Sequence, residues 1–224
     1  MLNEIRAILF DMDGSLVDSM WIWTEVDKKY MRKYHLTEPD TLHKDIEGMS
    51  FVETAQYFLD TFPTLTCTRE EVCREWTEMT IELYQTQVQL KPGAREFLRR
   101  MREQGVLLGI ATSNTKELAL AVLEALGVRS YFSAVCTANE VPRGKPEPDV
   151  YLLAARELQV DPGNCLVFED LPNGIRAGKS AGMKVCAVHD LFSVPQEAEK
   201  RRLADYYIRD YEEIWTNRFD ICGE

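Results

Sequence analysis

Five short apolar or β-branched runs, at residues 5–10, 106–111, 134–137, 165–168 and 184–188, recur along the chain with helix-length segments between most of them. Alternation of that kind predicts a parallel sheet covered by helices. Helical periodicity is explicit at Ala94, Phe97, Leu98 and Met101, and again at Leu118, Ala121, Val122, Ala125 and Leu126, where Gly127 is a natural helix stop.

The interval between the first two runs is far longer than a crossover needs. Three amphipathic stripes can be read inside it: Trp23, Val26, Tyr30 and Tyr34; Phe51, Ala55, Phe58 and Phe62; and Val72, Trp76, Met79 and Leu83. Three such helices can pack on one another, so residues 17–86 are expected to form an inserted helical domain. Residues 1–16 and 87–224 then make up the α/β core, and Lys91-Pro92-Gly93 has the composition of a turn that leads into a helix.

Composition narrows the function. The chain is 45% hydrophobic and 28% charged with a net charge of −11, as expected of a folded globular protein and not of a disordered or coiled-coil chain. An acidic excess repels phosphate backbones and anionic lipid, so neither nucleic acid nor a membrane surface is an expected partner. No segment approaches the roughly 20 apolar residues of a membrane span. The amino terminus lacks the basic start and apolar run of a signal peptide, and the six cysteines contain no C-x-x-C pair. A cytoplasmic protein with reduced thiols is expected.

In open parallel sheets, ligands gather at the carboxyl ends of the strands. The residues just after four of these runs are unusually polar: Asp11-Met-Asp13-Gly14-Ser15-Leu-Val-Asp-Ser19, then Thr112-Ser113-Asn114, then Gly144-Lys145-Pro146, then Glu169-Asp170. Asp11 and Asp13 can face one ligand if the backbone stays extended between them, with Gly14 permitting a sharp exit. A solvated acidic turn is the plain alternative for one D-x-D. Four carboxylates brought together, however, require a cation, and hard oxygen donors suit magnesium. Lys145 offers a second positive charge, and the Thr112 hydroxyl with the amides after it offers donors for an anion.

These four ordered motifs resemble those of the haloacid dehalogenase superfamily, in particular its β-phosphoglucomutase-like phosphatases with a helical cap after the first strand. The resemblance spans nearly the whole chain and implies a Rossmann-like three-layer core with an inserted α-helical cap. It also implies phosphoryl transfer through Asp11 as nucleophile, with Asp13 as acid and then base. Magnesium is implied on the Asp11 side chain, the Asp13 carbonyl and Asp170, with Glu169 touching it or standing just behind. Thr112, Ser113, Lys145 and, less directly, Asn114 are implied to hold the phosphate.

Asp13 favours phosphate esters over haloacids, because dehalogenases of the superfamily lack that second acid. Where β-phosphoglucomutases carry a cap histidine and a cap arginine, this chain has Trp23 and Phe51, which favours hydrolysis over mutation of a sugar phosphate. A non-catalytic phosphometabolite-binding protein is a further alternative, but such a protein would be expected to lose Asp11 or Asp13. Substrate selection is expected in Trp23 and the Glu47-Gly48-Met49-Ser50 loop. The expected partner is a small phosphorylated metabolite, and the expected assembly a monomer or homodimer.

Overall fold

Ala7–Phe10 (β1) is buried along its whole length and is an interior strand of the main sheet. The computed structural model describes residues 1–46, 49 and 51–223, without the side chains of His43 and Lys44. After β1 the chain runs through Val17–Asp18 (β2), Met20–Lys33 (α1), Leu42–Asp45 (α2), Phe51–Thr61 (α3), Arg69–Thr86 (α4) and Gln89–Leu90 (β3). It continues through Ala94–Glu103 (α5), Leu107–Thr112 (β4), Lys116–Ala125 (α6), Ala134–Thr137 (β5), Asp149–Glu157 (α7) and Cys165–Glu169 (β6). Pro172–Ser180 (α8), Lys184–Val188 (β7), Glu197–Leu203 (α9), Tyr206–Ile208 (β8), Glu212–Trp215 (α10) and Asp220–Ile221 (β9) complete it.

The main sheet has the order β5-β4-β1-β6-β7-β8-β9, parallel throughout except for the antiparallel β8–β9 edge. The side-chain period of two in β1 assigns its residues to opposite faces. Ile8 and Phe10 pack with α5 and α6, whereas Ala7 and Leu9 pack with α7 and α8. The three-layer α/β core follows. Sequence reading passes over β8 and β9 because three and two residues are too short to carry a periodic signal.

The helices α1 to α4 lie between β2 and β3, which pair with each other as a separate antiparallel ribbon. Two chain crossings thus join them to the core. Lys91, just beyond β3, is fastened there: its amide donates to the Leu16 carbonyl at 2.9 Å and its ammonium is paired with buried Asp190 at 2.5 Å. The α4 stripe differs from the periodic reading. The buried line is Val72, Trp76, Thr80 and Tyr84, while Met79 and Leu83 flank it half-buried. Counting apolar residues alone favours Met79 and Leu83 over two hydroxyl-bearing neighbours. α4 itself starts at a capping box, with Glu71 N–H donating to Thr68 Oγ1 and Thr68 N–H to Glu71 Oε2.

Candidate active site

β1 is flanked by β4 and β6, and the chain reaches them by crossovers in opposite directions, which opens a crevice at their carboxyl ends. Register then sets the chemistry. Phe10 is level with Phe168 and their rings stack at 5.3 Å, so the next residues, Asp11 and Glu169, emerge side by side. Phe10 is also level with Ile110, which brings Thr112 to the same end of the sheet. Phe97 and Tyr211 pack around the Phe10–Phe168 pair, and the Tyr211 hydroxyl donates to the Ser15 carbonyl at 3.1 Å. The apolar cluster under the crevice therefore also fixes the loop that carries the acidic residues.

Oxygen atoms of Asp11, Glu169 and Asp170 lie within 4.8 Å of one another, and all three residues are buried. Lys145 Nζ, from the loop before α7, donates to Asp11 Oδ1 and Glu169 Oε1, both at 2.6 Å. Glu169 Oε1 also accepts from the buried Tyr151 hydroxyl at 2.6 Å, and its Oε2 accepts from the Asp170 amide at 3.1 Å. Asp170 Oδ1 accepts from Ser15 at 3.2 Å, whereas its Oδ2 is buried with no hydrogen-bond partner among the described residues. A buried carboxylate oxygen without a donor is costly unless a cation meets it.

Two glycines make room for this cluster. A Cβ on Gly14, which has φ +79°, would stand 2.2 Å from Asp170 Oδ2, and one on Gly174 would stand 1.8 Å from Glu169 Oε1. Three closely spaced carboxylates with one unsatisfied oxygen fit a hard divalent cation.

Asp13 belongs to a second network. Its Oδ1 accepts from Ser19 at 2.5 Å and from the Tyr84 hydroxyl, and its Oδ2 accepts from Asn114 Nδ2 at 3.2 Å. Asn114 Nδ2 also donates to Tyr84 at 3.1 Å, so Asn114 is engaged with the Asp13 carboxylate. The Thr112 hydroxyl accepts the Asn114 amide at 3.0 Å, shaping the turn that enters α6, and exposed Ser113 lines the cleft.

Electrostatics separate the roles. Burial pushes Asp11 up to about 7, against the pull of Lys145. Asp13 is raised by burial as well, opposed by the hydrogen bonds from Ser19, Tyr84 and Asn114. Asp170 is raised well above the ordinary carboxylate range by burial and by its neighbours Asp11 and Glu169. Burial disfavours the Lys145 ammonium, but Asp11 and Glu169 outweigh it and hold the lysine protonated.

All the core residues singled out from the sequence line one region: Asp11, Asp13, Thr112, Ser113, Asn114, Lys145 and Glu169 border a cavity of about 370 Å³, with Asp170 behind. From the helical segment, Trp23 and Met49 border it too; Glu47, Gly48 and Ser50 lie outside the described residues. Sequence reading misses Tyr84 and Tyr151. A tyrosine on the buried line of α4 needs a partner for its hydroxyl, and that requirement was the available signal for Tyr84.

The sequence profile of haloacid dehalogenase-like hydrolases matches residues 8–188. A mitochondrial (DL)-glycerol-3-phosphatase of Arabidopsis thaliana is 35% identical over 195 residues, covering 84% of this chain and 65% of that protein, so the chain spans less than two thirds of its length. A probable pseudouridine-5'-phosphatase of Drosophila melanogaster is 34% identical over 197 residues, covering 84% of each chain. Among solved structures, CbbY from Rhodobacter sphaeroides in complex with xylulose-(1,5)bisphosphate superposes with a TM-score of 0.84 at 24% identity, covering 93% of this chain and 96% of that one, a likeness of fold.

Proposed function

The chain belongs to the haloacid dehalogenase-like hydrolases, and on that premise we propose that it is a magnesium-dependent phosphatase of a small phosphorylated metabolite, a sugar phosphate or similar, working through an aspartyl phosphate on Asp11. It is a phosphoric monoester hydrolase. The observation that carries the reading is the juxtaposition of two differently held aspartates: Asp11 in a buried carboxylate cluster that could hold a cation, Asp13 in a separate hydrogen-bonded cradle.

Asp11, Glu169 and Asp170 would hold the metal with their side chains and Asp13 with its backbone carbonyl. When bound, magnesium supplies positive charge that offsets the carboxylates and the phosphoryl oxygens. Lys145, tethered to Asp11 and Glu169, adds a fixed ammonium beside the nucleophile, while the Thr112 hydroxyl and the Ser113 amide donate to phosphoryl oxygens. In the first step an Asp11 carboxylate oxygen bonds to phosphorus as the bond to the leaving oxygen breaks, and Asp13 gives that oxygen its proton. In the second step the Asp13 carboxylate takes a proton from water, the water oxygen bonds to phosphorus, and the bond to Asp11 breaks to release phosphate. Ser19, Tyr84 and Asn114 hold Asp13 in place for both transfers.

Hydrolysis is favoured over a sugar phosphate mutase by the far side of the cleft. A bisphosphate intermediate needs a second cationic anchor. Among the described cleft residues the cation besides Lys145 is Arg176, which is tied to Glu199 and Asn173. The test is phosphate release from p-nitrophenyl phosphate and a phosphorylated-metabolite panel with magnesium. Activity lost on chelation and in Asp11→Asn supports the reading; wild type inactive on all, or Asp11→Asn equally active, refutes it. Glucose 1-phosphate converted to glucose 6-phosphate without comparable phosphate release would identify a mutase instead.

A further inference from the structure

The leaving-group side of the cleft can be located from the acid. Asp13 must stand beside the leaving oxygen, and Tyr84, its hydrogen-bond partner, packs its ring against Trp23 at 6.5 Å with the planes at 75°. Whatever the phosphate is attached to therefore meets Trp23 once it passes Asp13. Trp23 is half-buried and lines the cavity, so part of its surface is open to an occupant. Phe51 meets Trp23 at 5.9 Å and Trp76 at 5.6 Å, and these three rings make one aromatic wall on the side of α1, α3 and α4.

The core side is mixed, with Asn173, Arg176, Gln196 and Glu199 lining it next to a large apolar side chain. Phe192, in the loop after β7, is 53% exposed and lines the same cavity from the core. Apolar surface left open at the mouth of a cleft marks a binding site more often than a neutral surface. On the side of α1, α3 and α4 the polar groups among the described residues are the indole N–H groups of Trp23 and Trp76, the hydroxyls of Thr24 and Thr54, and Asp27, whose carboxylate is buried. Against the aromatic surface of Trp23, Phe51 and Trp76 that set favours a flat apolar face over a polyol chain, because each hydroxyl buried without a partner lowers affinity. The Asp27 carboxylate in addition disfavours a second phosphate.

Building on the phosphatase reading, we infer that the preferred ester carries a single flat aromatic or heteroaromatic ring on its alcohol side, seated between Trp23 and Phe51 on one wall and Phe192 on the other. The cavity of about 370 Å³ lies at the small end of ligand pockets and suits one ring in addition to the phosphate. Ring stacking on Trp23 supplies the affinity that hydrogen bonds supply to a polyol.

The experiment compares kcat/KM for pyridoxine 5′-phosphate and uridine 5′-monophosphate with that for glycerol 3-phosphate and sorbitol 6-phosphate, using the full chain with magnesium. At least one ring ester is expected to exceed both polyol esters tenfold or more, and which of the two leads tells whether the ring is joined to the phosphate ester through one methylene or through a ribose. Trp23→Ala should reduce that preference about tenfold or more, whereas Trp23→Phe should retain most of it. Phe192→Ala, at a half-exposed loop position, carries the same test at about threefold or more should Trp23→Ala not fold. Polyol esters used equally well or better, or a preference unchanged in these alanine variants, would overturn the inference and leave the phosphatase reading standing. Wild type inactive on every ester, p-nitrophenyl phosphate included, would overturn both.

Discussion

Replacing Asp170 with asparagine should stabilise the metal-free protein while removing its response to magnesium. Asp170 is fully buried, accepts one hydrogen bond from Ser15 at 3.2 Å, and has Asp11 and Glu169 oxygens within 4.8 Å. At that separation and an effective dielectric of about 20, each like-charge pair costs about 3.5 kcal/mol. Proton uptake caps the penalty: a carboxyl forced neutral at pH 7.5 costs at most about 1.36 kcal/mol for each pH unit above 3.9, or about 5 kcal/mol. Asparagine removes the charge but brings an amide that needs a new acceptor, so a net gain of about 2–4 kcal/mol is expected, or roughly 5–15 °C in Tm for a chain of this size. Thermal unfolding of wild type and Asp170→Asn at pH 7.5, each in chelator and in excess magnesium, reads both signs. Magnesium at a hundred times its Kd should add about 2.7 kcal/mol to wild type and little to the variant. A metal-free variant that melts no higher than metal-free wild type, or a variant that gains as much from magnesium, would refute the placement of Asp170 as an uncompensated ligand.

Stability of the metal-free protein should also depend on pH in a fixed direction. Asp11 rises from 3.8 to about 7 on folding, so its contribution is fully present below pH 3.8 and is lost as pH climbs towards 7. Tm in chelator should therefore fall over that interval, and the increment from magnesium should be larger at pH 7.5 than at pH 5, which differential scanning calorimetry can follow. Tyr84→Phe removes a hydrogen bond that lowers the Asp13 pKa, so the acid limb of the kcat profile should move to higher pH, with kcat depressed most on that limb. An unmoved limb would separate Tyr84 from Asp13 function. Gly174→Ala places a methyl where Glu169 Oε1 stands; despite better helix propensity it should weaken magnesium binding tenfold or more in a calorimetric titration.

Much of the site was legible because it sits in sequence-local motifs at strand ends. Asp11-x-Asp13, Thr112-Ser-Asn and Glu169-Asp170 each follow a short apolar run, and the parallel register of β1, β4 and β6 brings them together. The parallel sheet was legible for the same reason, since β5 and β7 coincide with the apolar runs at residues 134–137 and 184–188. The illegible part depends on side chains that meet across long stretches of chain. Tyr84 reaches Asp13 from a helix 71 residues on, and Tyr151 reaches Glu169 from α7; neither pattern of apolar spacing shows a hydroxyl's destination. The aromatic wall was half legible. Trp23 stood out as a candidate, but Trp76 read as core and Phe192 lay in a loop with no periodicity to assign it.

The most direct test of the mechanism is a single turnover of a hydrolysed ester with excess enzyme and magnesium, quenched in acid at successive times and mapped by peptide mass. A phosphoryl group should rise and decay on the peptide containing Asp11, at rates that account for phosphate release, and should be absent from Asp11→Asn. Phosphate appearing at the full single-turnover rate while no phosphorylated Asp11 peptide forms at any time would contradict the account.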